Sequence, residues 1–325
     1  MRFDDNADLD TSNIDDQRGG GGGGFGGGFG GGPPLGGRVA RGGGGLGVVG
    51  LIVYLLISVL GGGNVSLPDS GGGLASPGGL SSVQPGQQAD VGTAAAACKT
   101  GAQANSKVDC EVVADTNSLD DFWSGMFARS NKPFTPPRTV FFDGGVNTGC
   151  GQATSDTGPF YCPADQHIYI DLSFFNELQT RFGAQGGNVS RAYVIAHEYG
   201  HHIQQVLGTT NQVRAGDSGP TSGSVRLELQ ADCYAGVWAN HATQVPTASG
   251  KPLITDVTQQ DVTAALDTAS RIGDDYIQTN LGGGRVDQSQ FTHGTSAQRE
   301  KWWRTGYQTG DPAQCNTFAR GVNLG

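Results

Sequence analysis

The sequence Ala192-Tyr-Val-Ile-Ala-His-Glu-Tyr-Gly-His201 joins an apolar run to the pattern His-Glu-x-x-His. On an α-helix, residues four positions apart lie one turn apart on the same face, so the imidazoles of His197 and His201 can bind one Zn²⁺ ion together. Glu198 lies beside the metal on such a helix, where it can accept a proton from zinc-bound water. The apolar residues before His197 predict a buried, rigid helix, which suits a preorganised site.

A zinc site that catalyses hydrolysis needs a third protein ligand and an open fourth position. The extended pattern with a further Gly and His is absent, because Gln204 and Leu207 stand at those places. The best candidate for the third ligand is Glu228 in Arg226-Leu-Glu-Leu-Gln-Ala-Asp232, which predicts a second helix. Asp232, one turn after Glu228, is expected to accept a hydrogen bond from the other nitrogen of a ligand histidine and so fix its tautomer.

A further histidine, His293, lies in the loop-like segment Phe291-Thr-His-Gly-Thr295. Two interpretations stay open for it. It stabilises the oxyanion of a tetrahedral intermediate or donates a proton, or it is a structural histidine of the loop. The candidate catalytic residues are therefore Glu198 and His293.

The six cysteines point to an oxidising compartment. None of them forms a C-x-x-C pair, so a zinc ribbon or a thioredoxin-like motif is absent. The even number predicts three disulfides, and short loops favour the pairs Cys98–Cys110 and Cys150–Cys162, which leaves Cys233–Cys315. The alternative is a cytosolic protein with six buried free thiols.

The front of the chain has the composition of a tail, an apolar segment and a linker, and it holds many of the 56 glycines. Residues 1–45 are expected to be a disordered Gly-rich tail. Residues 46–63 carry no charge and predict a transmembrane signal anchor, near the short end of the roughly 20 residues that a span needs. Residues 64–97 are expected to be a flexible stalk.

The arginines at positions 38 and 41 precede the apolar segment, and the next basic residue is Lys99. This charge distribution predicts a single-pass membrane protein, with a cytoplasmic N-terminus and an extracytoplasmic catalytic domain. A cleaved signal peptide and a buried core helix are the alternatives. The signal peptide would need an unusually long n-region, and the core helix would have disordered flanks.

The globular domain is expected to cover residues 98–325. Alternation of apolar residues predicts strands at 138–142 and 167–172. Helical spacing predicts helices at 191–207 and 224–241. The fold class is therefore α+β, with an active-site helix and a small mixed sheet.

Four segments resemble the neutral zinc metallopeptidases of bacterial membranes, which have one N-terminal span: Gly158–Asp165, His197–Gln204, Arg226–Trp238 and Phe291–Arg299. The resemblance covers about residues 98–320 and leaves out the Gly-rich tail. It implies a zincin-like fold related to the gluzincins, with a Glu as third ligand of one zinc ion per chain. It implies little about substrates.

The sequence thus predicts a membrane-anchored zinc-dependent endopeptidase that acts outside the cytoplasm, with zinc-activated water and Glu198 as general base. Its expected partners are a peptide or protein substrate and the lipid bilayer, through one N-terminal helix. No nucleic-acid partner is expected, because the net charge of −10 argues against a general nucleic-acid binder, which needs a basic face. A non-catalytic zinc-stabilised scaffold is the runner-up, although it would have no need for Glu198. A metal-dependent hydrolase of non-peptide bonds is a third possibility that a substrate screen can separate.

Overall fold

The computed structural model describes residues 1–19, 94, 97–214, 216–247 and 250–325. These residues form a mixed α+β fold, as predicted. The helices are α1 Gly101–Ala104, α2 Val108–Arg129, α3 Phe174–Thr180, α4 Asn188–Leu207, α5 Gly223–His241, α6 Gln259–Arg271, α7 Asp274–Asn280 and α8 Ser296–Thr309. The strands are β1 Arg2–Phe3, β2 Ile14–Asp16, β3 Arg138–Phe142, β4 Gly145–Thr148, β5 Gly151–Thr154, β6 Phe160–Cys162, β7 His167–Asp171 and β8 Ile254–Asp256.

The largest sheet has four strands in the order β2-β3-β7-β6. The first three are parallel to one another, and β6 runs antiparallel to β7. The inner strands β3 and β7 bury consecutive apolar side chains, such as Val140, Phe141 and Ile168, because both faces of the sheet are covered. The edge strand β6 packs against α4. This is the small mixed sheet that the sequence predicted.

Helices α4 and α5, which carry the predicted site, lie in close contact. The first begins at Asn188 and ends before Gly208, whose φ of 75° is the left-handed conformation that commonly terminates a helix. Gly200 faces Ala231 of α5, and a Cβ atom at Gly200 would lie 2.9 Å from the Ala231 Cα atom. The absence of a side chain at Gly200 therefore permits the two helices to approach closely enough to share a site.

Residues 1–19 belong to the folded domain, so the predicted disordered tail at residues 1–45 is wrong for its first 19 residues. Strand β1 pairs antiparallel with β8, and β2 pairs parallel with β3. Phe3 and Ile14 are buried in the main core. The error has a physical reason, because the strand partners of Phe3 and Ile14 lie more than 100 positions away and local composition does not reveal them. The domain therefore does not begin at Cys98.

The predicted transmembrane anchor at residues 46–63 lies outside the described residues. The rest of the predicted tail and most of the predicted stalk at residues 64–97 lie outside them as well. In the part of the chain that the structure describes, no helix is both long enough and apolar enough to cross a bilayer.

The structure contains the three predicted disulfides, Cys98–Cys110, Cys150–Cys162 and Cys233–Cys315, and no cysteine is left free. The first ties α2 to the chain before α1, and the second ties the β4–β5 hairpin to β6. The third ties α5 to the C-terminal region. All three thus brace elements next to α4.

Candidate active site

His197, His201 and Glu228 converge between α4 and α5. Nε2 of His197 lies 3.1 Å from Oε2 of Glu228, and Nε2 of His201 lies 3.4 Å from Oε1. One ligand atom from each residue lies within 4.8 Å of the others, and all three side chains are buried. Two imidazole nitrogens and one carboxylate are a donor set that suits zinc. The three residues therefore form a group that can hold a metal ion.

In both histidines, Nδ1 lies on the opposite side of the ring from Nε2 and contacts a side-chain oxygen atom. His197 Nδ1 lies 2.8 Å from Asp232 Oδ1, and His201 Nδ1 lies 2.9 Å from Gln204 Oε1. These oxygens accept the Nδ1 proton, so that Nε2 is the atom of each ring that exchanges its proton for a metal. Gln204 is held in turn, because its amide donates to the Leu227 carbonyl at 2.6 Å. The sequence predicted the position of Asp232, but it carried no signal for this contact of Gln204.

Asp232 is fully buried, and Arg299 of α8 compensates its charge. Arg299 donates from Nε to Oδ2 and from Nη2 to Oδ1, both at 3.0 Å, and the Tyr193 hydroxyl donates to Oδ1 at 2.6 Å. Burial opposes ionisation, but Arg299 and His197 hold the pKa of Asp232 below its usual value. Asp232 therefore stays ionised as an acceptor for His197. No pattern in the sequence singled out Arg299, although this residue ends the segment Phe291–Arg299 that resembles the family.

Glu198 is buried beside this group and keeps one oxygen without a partner. The backbone N–H of Tyr161 in β6 lies near its carboxylate and favours the ionised form. Its Oε2 atom has no hydrogen-bond partner within the described chain. Burial raises the pKa of Glu198 to about 7, although the neighbouring His197 opposes this effect. A buried carboxylate oxygen without a partner is unusual in a structural role, and its position suits a proton acceptor.

His293 lies in the same cavity and is held by Asp274 at the start of α7. The Oδ2 atom of Asp274 accepts the backbone N–H groups of Thr292, His293 and Gly294 at 2.8, 2.7 and 2.9 Å. Nδ1 of His293 lies 3.3 Å from Asp274 Oδ1, which orients the ring and leaves Nε2 for the cavity. Acidic residues are common at helix starts, so Asp274 carried no distinct signal in the sequence. The catalytic role of His293 stays a prediction, but its place at the site fits that role.

Apolar side chains form most of the cavity wall. The cavity has a volume of about 70 Å³, and its lining includes Phe174, Phe182, Val194, Ile272 and Ile277. An apolar wall keeps bulk water away and strengthens electrostatic interactions inside the site. The arrangement can thus combine a metal ion, a general base and a hydrogen-bond donor in one sheltered space.

Replacing Asp232 with asparagine is expected to weaken zinc binding by about 10–100-fold and to lower the melting temperature. Asparagine keeps the shape of the side chain but leaves the buried Arg299 guanidinium without its counter-charge. Breaking a buried ion pair in this way costs about 3–5 kcal/mol. Competition with a chelator and thermal unfolding check the two effects, with Asp256→Asn on the exposed end of β8 as the matched control. Wild-type zinc affinity in Asp232→Asn would contradict the assignment.

Comparison with known proteins supports the same chemistry. A family model described as "putative neutral zinc metallopeptidase" matches residues 1–318, so the similarity also includes the N-terminal residues that the motifs left out. The uncharacterized protein Rv2575 of Mycobacterium tuberculosis is 46% identical over 247 residues, which are 75% of this chain and 83% of the relative. The uncharacterized protein YpfJ of Escherichia coli K12 is 42% identical over 210 residues, 63% of this chain and 69% of the relative.

No solved structure matches the chain. The family match nevertheless spans almost all of the sequence, and it includes the two helices that bring His197, His201 and Glu228 together. The chain therefore belongs to the neutral zinc metallopeptidase family.

Proposed function

We propose that this protein is a zinc-dependent endopeptidase in which Glu198 is the general base. The observation that carries the proposal is the shared cavity, where three converging ligand atoms lie beside the unpartnered Oε2 of Glu198. Family membership supports zinc and peptidase chemistry. The order of elements, an active-site helix followed by a helix with the carboxylate ligand, agrees with the zincin-like, gluzincin-related fold that the resemblance implies.

His197, His201 and Glu228 would hold one zinc ion, and three donors leave a coordination position open. A zinc ion bound there supplies Lewis acidity, which polarises a peptide carbonyl and lowers the pKa of a water molecule. Asp232 and Gln204 keep the two histidines in the tautomer that metal binding requires.

Glu198 takes the proton from the attacking water and passes it to the leaving amine. A general base works best when its pKa is close to the operating pH, and burial sets the pKa of Glu198 at about 7. The N–H group of Tyr161 near the carboxylate favours its ionised form, and Oε2, which has no hydrogen-bond partner among the described residues, is available for the proton.

His293 donates a hydrogen bond to the substrate oxygen that gains negative charge. Burial lowers the pKa of His293, but Glu228 and Asp274 outweigh burial and raise the pKa above its usual value. The protonated ring donates from both nitrogens, so Nδ1 can bond to Asp274 while Nε2 serves the substrate. Donors of this kind stabilise the charge that develops in acyl transfer.

Among the described residues, β6 lies at the edge of the four-stranded sheet, and this edge favours a peptide substrate over other hydrolysable bonds. This strand ends the four-stranded sheet, and Thr157 and Pro159 just before it line the cavity. An extended peptide can add to such an edge through backbone hydrogen bonds. A peptide bound there would present its scissile bond next to Glu198.

The catalytic domain, in this proposal, works outside the cytoplasm at the bacterial membrane. Its three disulfides support an oxidising compartment. Attachment to lipid through residues 46–63 rests on the apolar sequence alone.

Profiling with a broad peptide library tests the function in the full-length protein loaded with zinc. We expect cleavage of internal peptide bonds that a chelator abolishes and added zinc restores. A protein that holds one zinc per chain and cleaves no peptide would instead favour the scaffold. Cleavage of non-peptide substrates alone would favour the third class of hydrolase.

Replacing His293 with alanine is expected to lower kcat by about 10²–10³-fold with little change in zinc content, because His293 is not a ligand in this proposal. Asp274→Asn should lower kcat less, since the ring remains but loses its oriented acceptor. Steady-state kinetics and elemental analysis check both variants, with His241→Gln outside the cavity as control. A wild-type kcat in His293→Ala would leave the loop interpretation as the better one.

A further inference from the structure

Residues 1–19 pack into the catalytic domain as an integral part of its fold. Phe3 and Ile14 are only 0% and 2% exposed, and both belong to the main core. Strand β2 forms three parallel residue pairs with β3. A tail lying loosely on a surface would make neither kind of contact.

Further contacts join the same segment to α1 and α2. Asp8 lies opposite Thr100 in an antiparallel bridge. The backbone of Asp10 makes two hydrogen bonds with the side chain of Asn117, one as donor at 2.8 Å and one as acceptor at 2.7 Å. The attachment is therefore specific in register as well as in packing.

The segment also reaches the active-site helix through the carboxylate of Asp120 in α2, besides the direct contact between the Met1 carbonyl and Asn188. Asn13 donates to Oδ2 of Asp120 at 3.0 Å, and the hydroxyl of Tyr199 donates to Oδ1 of the same residue at 2.8 Å. Tyr199 follows Glu198 directly in α4. Residues 1–19 thus support the helix that carries two of the predicted metal ligands.

The chain leaves this segment and returns to it at the same place. The backbone N–H of Ala94 donates to Oδ2 of Asp16 at 3.1 Å, although 78 positions separate the two residues. Four residues later, Cys98 is bonded to Cys110 of α2. The chain between Asp16 and Ala94 contains the apolar residues 46–63.

We infer that residues 1–19 and the catalytic domain fold together in one compartment, so that the chain between them leaves and returns on the same side of the membrane. One crossing at residues 46–63 would put residues 1–19 on the opposite side. Strand β3 would then lose a partner, and the core would lack Phe3 and Ile14. The expected cytoplasmic N-terminus opposite an extracytoplasmic domain is incompatible with this fold. The inference goes beyond the proposed function and does not depend on catalysis.

An engineered cysteine pair tests the inference in the full-length chain, in isolated membranes. The residues on either side of Asp8 and Thr100 form the backbone hydrogen bonds that flank the bridge. Asp8 and Thr100 are therefore a non-hydrogen-bonded pair, in which the two Cα atoms lie about 4.5 Å apart. Asp8→Cys/Thr100→Cys should therefore form a disulfide under mild oxidation. With a protease site inserted between residues 64 and 93, the cut fragments should separate only after reduction.

The single variants Asp8→Cys and Thr100→Cys control for exchange with the nearby natural disulfide. The inference would be overturned if the fragments of the double variant separate without reductant and both new thiols still react with a maleimide after denaturation.

Thiol labelling in intact spheroplasts gives a second test that needs no new disulfide. All natural cysteines are paired, so Asn6→Cys and Arg320→Cys each add one free thiol at an exposed position. A membrane-impermeant maleimide should label both variants or neither of them. Labelling of both supports a common location outside. Protection of both until permeabilisation supports a common location inside, which would contradict the proposed compartment but not this inference. Labelling of Arg320→Cys alone would overturn it.

Discussion

Replacing Glu198 with glutamine is expected to lower peptide cleavage by about 10²–10⁴-fold without loss of zinc. Glutamine has nearly the same shape, but its amide cannot take a proton from the attacking water. The substitution removes a buried charge that has an unpartnered oxygen, so the fold should not be weakened. Cleavage rates and elemental analysis of the same preparation check both statements.

The control for this variant is Glu300→Gln, whose carboxylate lies 3.9 Å from Arg304 at the surface. It should cleave at the wild-type rate. If Glu198→Gln also cleaves at that rate, Glu198 is not the general base.

Replacing Glu228 with alanine is expected to produce the opposite pattern, with activity lost because the metal is lost. The variant leaves the Nε2 atoms of His197 and His201 without the carboxylate that both of them contact. The loss of zinc affinity should exceed the roughly 10–100-fold that removal of an outer hydrogen-bond partner costs. Metal binding stabilises the folded state, so the melting temperature in the presence of zinc should fall as well.

Chelator competition and thermal unfolding with and without zinc measure these effects, and Glu300→Ala is the control. Wild-type zinc content in Glu228→Ala would show that the third ligand lies elsewhere.

The sequence predicted best those parts of the site that depend on helical spacing. His197 and His201 are four residues apart, and so are Glu228 and Asp232. Each pair can therefore be recognised from the spacing of one helical turn. The three disulfides followed from the even number of cysteines and from two short loops.

The supporting residues could not be predicted in the same way, because their partners are distant in the chain. Arg299 bonds to Asp232 across 67 positions, and Asp274 contacts His293 across 19. Gln204 was visible only as a departure from a longer motif. No local pattern indicates such pairs.

Residues 1–19 are a clearer case of structure that depends on partners distant in the chain. Their polar composition and the glycines that follow are typical of disorder, yet Phe3 and Ile14 are buried. The strand partners of this segment lie at residues 139–141 and 254–256. Composition describes what a segment can do alone, whereas this segment acquires its structure from the rest of the domain.

A zinc titration of the metal-free, full-length protein measures whether one bound zinc ion and Glu198 are both needed for peptide cleavage. Peptide cleavage should rise with added zinc and reach its maximum at one zinc per chain. Glu198→Gln should bind the same single equivalent and remain inactive throughout the titration. Full cleavage by the metal-free protein, or equal activity per zinc in Glu198→Gln, would contradict the account.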